Sequence, residues 1–172
     1  GGLRAIEVTL RTPAALPAIE AIAREVPEIA VGAGTVLAVD DLHAAANAGA
    51  AFAISPGATA AVLEAGAHSA IPYLPAVATA SELMLGLAHG YHCFKFFPAA
   101  LAGGAPMLKA FAGPFPQARF CPTGGITPAT QRTYLNLPNV LCVGGSWLAP
   151  ADAVAARDWQ RIEALAAEAA RA

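Results

Sequence analysis

Lys95 stands inside an otherwise apolar run of strand length, CFKFFPA (93–99), with Phe94 and Phe96 on either side. An ammonium group is rarely buried without a partner, so a lysine in such a run either reaches solvent or does chemistry. Period-two alternation puts it on one face with Cys93 and Phe97. If that face is interior, burial disfavours the charged form and leaves an amine that can attack a ketone. The resulting Schiff base carries a cationic nitrogen, which draws electrons from a neighbouring carbanion and stabilises it as an enamine. Glu7 is isolated in AIEVTL in the same way, on one face with Thr9 and Arg11. A carboxylate beside an amine can shuttle protons through carbinolamine formation and carbon–carbon cleavage. A lysine snorkelling at a strand end and a purely structural Glu–Lys ion pair are the ordinary alternatives. Arg11, four residues on, offers a guanidinium fork to a substrate carboxylate. Thr35 in GAGT adds a hydroxyl, and the glycines before it read as a tight turn.

Two glycine pairs carry an anion-binding signal: Gly124 and Gly125 in PTGGITPAT, and Gly144 and Gly145, with Ser146, in VGGSWL. Glycine exposes backbone N–H groups, and a helix N-terminus after such a loop favours phosphate. A single Gly-Gly says little, but two at matching positions of consecutive units point to a phosphorylated ligand. His43, His68, His89 and His92 fall in or beside helical segments and show no zinc spacing, so no metal is called for. Asp40 and Asp41 read as helix-opening caps. Cys93, Cys121 and Cys142 form no Cys-x-x-Cys pair and lie in apolar runs, which predicts buried, reduced thiols and a reducing cytoplasm. Trp147 and Trp159 are expected to pack.

The elements that must hold these groups alternate regularly. LRAIEVTL, IAVGAGT, AFAISP, AIPYLPA, CFKFFPA, RFCPTGG and VLCVGGS read as seven strands. Ala-rich segments of helical period lie between them, and DWQRIEALAAEAARA follows the last. Near-continuously apolar strands alternating with amphipathic helices predict a parallel α/β fold. A doubly wound sheet and a (β/α)8 barrel both satisfy the pattern, and length alone leans toward the open sheet. Glu7, Arg11, Thr35, Ser55, Lys95, Thr123, Gly124, Gly125 and Ser146 decide it, because they lie in or at the C-terminal ends of six strands. A barrel gathers those ends around one mouth, whereas an open sheet spreads them along an edge. The expectation is one barrel domain over residues 1–172 with seven visible βα units, an eighth unit lying before Gly1. The glycine pairs then follow strands seven and eight, where many barrels bind phosphate.

Composition is consistent with this: of 172 residues, 56% are apolar and 13% charged, enough for a sizeable core. A formal charge of −2 gives no general attraction to nucleic acid or an anionic membrane surface. No apolar run approaches the ~20 residues of a membrane-spanning helix.

EVTLRT, VGAGTV, FAISPG, SELMLG, FKFFPA, GPF, RFCPTGGI and GGSWL together resemble the 2-keto-3-deoxy-6-phosphogluconate (KDPG) aldolase family along the whole chain. The resemblance implies a (β/α)8 barrel, usually a homotrimer, performing metal-independent, cofactor-free class I cleavage to pyruvate and glyceraldehyde 3-phosphate in the Entner–Doudoroff pathway. Some relatives also cleave 4-hydroxy-2-oxoglutarate. By matching motifs, Lys95 is the Schiff-base residue and Glu7 the proton shuttle. Arg11 and Thr35 hold the pyruvyl carboxylate, and Thr123 touches the substrate near the reacting carbons. Gly124, Gly125, Gly144, Gly145 and Ser146 form the phosphate cradle. Family members carry a helix and a first strand before the segment that opens this chain. Ala76, where a glycine is expected, and Ala100, where a glutamate is common, depart from the pattern on the substrate side. A sugar-phosphate isomerase on a similar barrel, sharing the phosphate cradle but needing no imine, is one rival reading. A catalytically silent barrel serving as a scaffold is the other.

Overall fold

The computed structural model describes residues 1–171. Strands β1 (Ala5–Thr9), β2 (Ala30–Gly34), β3 (Phe52–Ile54), β4 (Tyr73–Leu74), β5 (Ala76–Val77), β6 (Cys93–Phe96) and β7 (Arg119–Pro122) alternate with helices. The helices are α1 (Ala15–Glu25), α2 (Val39–Asn47), α3 (Ala60–Ala67), α4 (Ala80–Ala88), α5 (Gly104–Phe111), α6 (Gln131–Leu135), α7 (Ala151–Ala155) and α8 (Trp159–Ala170). Every strand pair is parallel, in the order β1-β2-β3-β4 and then β5-β6-β7. That order never reverses. A doubly wound sheet needs a reversal at its switch point, so the chain winds one way, as a TIM barrel does.

Two prolines account for departures from the predicted strands. AIPYLPA divides into β4 and β5 at Pro75, which has no N–H to give the ladder but still accepts from Lys95 N at 2.9 Å. VLCVGGS, expected as a seventh strand, forms no regular strand: only the bridges Phe120↔Val140 and Thr123↔Gly144 tie it to β7. Pro122 lies between those bridges and cannot donate, and its carbonyl instead accepts from Gly144 N at 2.9 Å. The short helix α7, held to one turn and a half, was not expected from the sequence.

The core lies between the outer face of the strands and the helices. Phe94 and Phe96 of β6 and Phe120 of β7 are buried against Leu83 of α4 and Leu108 and Phe111 of α5. Their rings meet tilted for Phe94–Phe120 (centroids 6.2 Å apart), edge-on for Phe96–Phe111 (6.3 Å) and stacked for Phe111–Phe120 (6.0 Å). Each such side chain contributes about 1.5–3 kcal/mol on burial. With both phenylalanines committed outward, alternation leaves Lys95 only the inner face. Helix α4 begins on a capping box: Thr79 Oγ1 accepts from Glu82 N (3.3 Å), and Glu82 Oε2 accepts from Thr79 N (2.9 Å). Asp41 caps α2 as expected, accepting from Leu37 N and Ala38 N at 2.8 and 3.0 Å. Trp147 packs on the core cluster, but Trp159 is 60% exposed, contrary to expectation, because α8 buries none of its residues fully. No helix among the described residues is long and apolar enough to cross a membrane.

Candidate active site

Lys95 is 6% exposed, and its Nζ lies 3.5 Å from Glu7 Oε1. On a flat sheet β1 and β6 would be four strand spacings apart, roughly 19 Å. The contact therefore requires the sheet to curl and bring its inner face around on itself. At 3.5 Å the two groups attract but fall short of a good hydrogen bond, which leaves the carboxylate able to turn to another partner. The Phe97 ring walls the other side, its centroid 5.1 Å from Nζ.

Glu7 reaches this position by crossing β2. It pairs in register with Gly32, and its side chain leans along the strand direction over Gly34. A Cβ on Gly34 would lie 2.5 Å from Glu7 Cδ and 2.6 Å from Glu7 Cγ. Gly34 is inside β2 and outside the left-handed region of φ, so a turn is not what it supplies. The tight turn read into GAGT is thus corrected. The residue that does adopt a left-handed conformation is Thr35, at φ 63°. A β-branched residue there is strained by about 1–3 kcal/mol, which is tolerated chiefly where geometry at a site demands it.

Thr123, at the end of β7, joins the lysine strand to the glycine loops. Its N–H donates to Phe96 O (3.0 Å), its carbonyl accepts from Ala99 N (2.8 Å), and it bridges to Gly144. Gly124 and Gly125 have φ of 99° and 74°, conformations that suit glycine, and Gly124 O accepts from Ala100 N at 3.0 Å. Gly144 and Gly145 are small for another reason. A Cβ on Gly144 would stand 2.6 Å from Thr123 Oγ1, and one on Gly145 would enter the Trp147 ring. The two loops are thus packed against each other. Ser146 is exposed beside them, Arg11 is exposed just beyond β1, and Thr35 is half-buried. None of these three is hydrogen-bonded through its side chain to the Lys95–Glu7 pair. Ser55 is engaged elsewhere, at 2.6 Å from the Tyr73 hydroxyl.

The cysteines are free, but Cys93 and Cys142 are exposed, which corrects the expectation of buried thiols. Cys93 opens β6, where the strand meets solvent, and Cys142 lies on the stretch that forms no regular strand. Cys121 pairs in register with Lys95 and approaches Cys142 across the interrupted ladder. The neighbouring Cys121 thiol lowers Cys142 to about 7, against the opposing effect of partial burial of its sulfur in an otherwise exposed residue. The same contact, together with burial and the Cys142 charge, raises Cys121 despite Thr123 and Lys95. Sequence reading singled out Lys95, Glu7, Thr123 and the glycine loops as candidates. It missed the service of Gly34 and the thiol pair, because neither leaves a periodic signature.

The fold and site define a singly wound parallel α/β barrel with an interior lysine–carboxylate pair at the strand ends. The family model "Aldolase: KDPG and KHG aldolase" matches residues 1–165. The "KHG/KDPG aldolase" of Escherichia coli (strain K12) is 59% identical over 169 residues, covering 98% of this chain and 79% of that protein. The crystal structure of a KDPG aldolase from Legionella pneumophila, with pyruvate captured as a covalent carbinolamine intermediate, superimposes with a TM-score of 0.93 at 54% identity. It covers 95% of this chain and 80% of that one. The enzyme of Zymomonas mobilis ZM4, solved with 3-phosphoglycerate, gives 0.89 at 50% identity, over 98% and 78% of the two chains. The chain belongs to the KDPG and KHG aldolase family.

Proposed function

We infer that this chain is a class I aldolase that cleaves 2-keto-3-deoxy-6-phosphogluconate to pyruvate and glyceraldehyde 3-phosphate, and also takes 4-hydroxy-2-oxoglutarate. The observation that carries the reading is the buried Lys95 Nζ 3.5 Å from the Glu7 carboxylate. Covalent pyruvate in the Legionella relative supports it, and 3-phosphoglycerate in the Zymomonas relative supports a phosphorylated ligand. Lys95 Nζ attacks carbon 2 of the substrate, and the carbinolamine loses water to give an iminium. Glu7 accepts the proton of the carbon-4 hydroxyl. The electrons of the bond between carbons 3 and 4 then flow into the iminium, leaving pyruvate as its enamine and releasing the aldehyde. Protonation at carbon 3 and hydrolysis by water restore the amine.

Arg11 and Thr35 are assigned the pyruvyl carboxylate, and Thr123 the region of the reacting carbons. The N–H groups of Gly124, Gly125, Gly144 and Gly145, with Ser146, are assigned the phosphate, which anchors the aldehyde half for cleavage. In this reading residues 1–172 act as one catalytic domain of a cytoplasmic homotrimer. Borohydride reduction in the presence of pyruvate tests the chemistry: a stable three-carbon adduct is expected on Lys95 by peptide mass spectrometry. An isomerase or a silent scaffold leaves no adduct, and full turnover by Lys95→Ala overturns the aldolase reading.

A further inference from the structure

We propose that Gly34 is a positioning residue for the proton shuttle: it leaves a side-chain-free gap in β2 across which Glu7 reaches Lys95. Three observations carry this. The contact joins β1 and β6, four strand spacings apart along a curled sheet, so the Glu7 side chain must lie low over its neighbouring strand. The three heavy atoms nearest to a Cβ at position 34 are Oε1, Cδ and Cγ of Glu7, and no other residue comes closer. Gly34 has no backbone need for glycine, since its φ is outside the left-handed region and it pairs regularly with Thr9.

A methyl group at position 34 therefore meets the flexible end of a side chain and not the backbone. Glu7 is 26% exposed and has space to turn away. The fold yields by releasing the carboxylate, and the catalytic pair is what is lost. The neighbouring Gly32 differs, because a Cβ there would strike the Phe52 ring, a matter of packing alone.

The proposal rests on Glu7 being the shuttle, so the experiment measures Gly34→Ala, Glu7→Ala and the double variant together, with KDPG as substrate. Gly34→Ala is expected to lower kcat by about 10²-fold or more, the usual contribution of a positioned acid–base group, with KM changing far less. In the Glu7→Ala background, Gly34→Ala should cost nothing further, because the two changes remove the same contact. A kcat for Gly34→Ala close to that of the parent, or an equal penalty with and without Glu7, overturns the proposal. If Glu7→Ala itself keeps full kcat, the shuttle assignment fails first and takes this inference with it. If Gly34→Ala does not fold, a folded double variant still traces the damage to the carboxylate, whereas an unfolded one overturns the idea.

Discussion

Cys142 illustrates how one contact sets a side chain's reactivity. Its thiol is lowered to about 7 by the neighbouring Cys121 thiol, and partial burial of the sulfur opposes this only in part. Cys121 is raised by the same contact. Thiolate is the form that reacts with alkylating agents. Iodoacetamide is therefore expected to modify Cys142 well before Cys121, at a rate that climbs as pH rises through about 7. Peptide mapping over a pH series reads this directly, and equal labelling of the two thiols would contradict it. Replacing Cys121 by alanine should move the climb at Cys142 to higher pH, since the thiol that lowers it is gone. Lys95 is the complementary case at this scale. Its inward direction is set not by its own chemistry but by Phe94 and Phe96, which anchor β6 in the helix layer.

Elements meet closely enough that glycine can be required by a neighbour even inside a helix. Gly86 lies in α4 directly over Phe94, and a Cβ there would be 3.1 Å from Cζ and closer to Cε1. Helix propensity favours alanine by about 1 kcal/mol. Phe94 is fully buried between Leu83 and Phe120 and has nowhere to move, so overpacking of about 1–3 kcal/mol should outweigh that gain. Gly86→Ala is expected to lower the denaturant midpoint, and a raised midpoint would show that propensity wins. This scale also explains what could be read from the residues. The helical periods and the strand alternation are local, and the elements they predict formed, except that VLCVGGS made no regular strand and AIPYLPA divided in two. The division at Pro75 was written in the sequence as a missing donor, and so was the broken ladder at Pro122. Neither shows in the apolar pattern, which runs on unbroken across a proline while the hydrogen-bond ladder does not. Gly34 was beyond reach for a different reason: its partner is a side chain from another strand, and no local pattern records where Glu7 comes to rest.

At the scale of the whole molecule, the winding of the sheet is what turns two isolated polar residues into a site, and it does so at a cost to stability. Strands in unbroken sequential order curl until β1 and β6 face each other, which places an ammonium and a carboxylate in an apolar surround. A buried ion pair seldom recovers its desolvation cost in full, while removing one partner strands the other. The two strandings should differ here, because the Lys95 side chain is 7% exposed and that of Glu7 26%. Glu7→Leu leaves the more deeply buried charge without its partner and should destabilise by about 3–5 kcal/mol. Lys95→Met leaves a carboxylate that water can still reach, and should cost less. Replacing both by Lys95→Met with Glu7→Leu removes the charges together, and its melting temperature is expected to equal or exceed that of the parent although no imine can form. Thermal unfolding of the three variants checks the order. If the double variant is the least stable of them, the pair is a net support of the barrel, and its retention needs no appeal to catalysis.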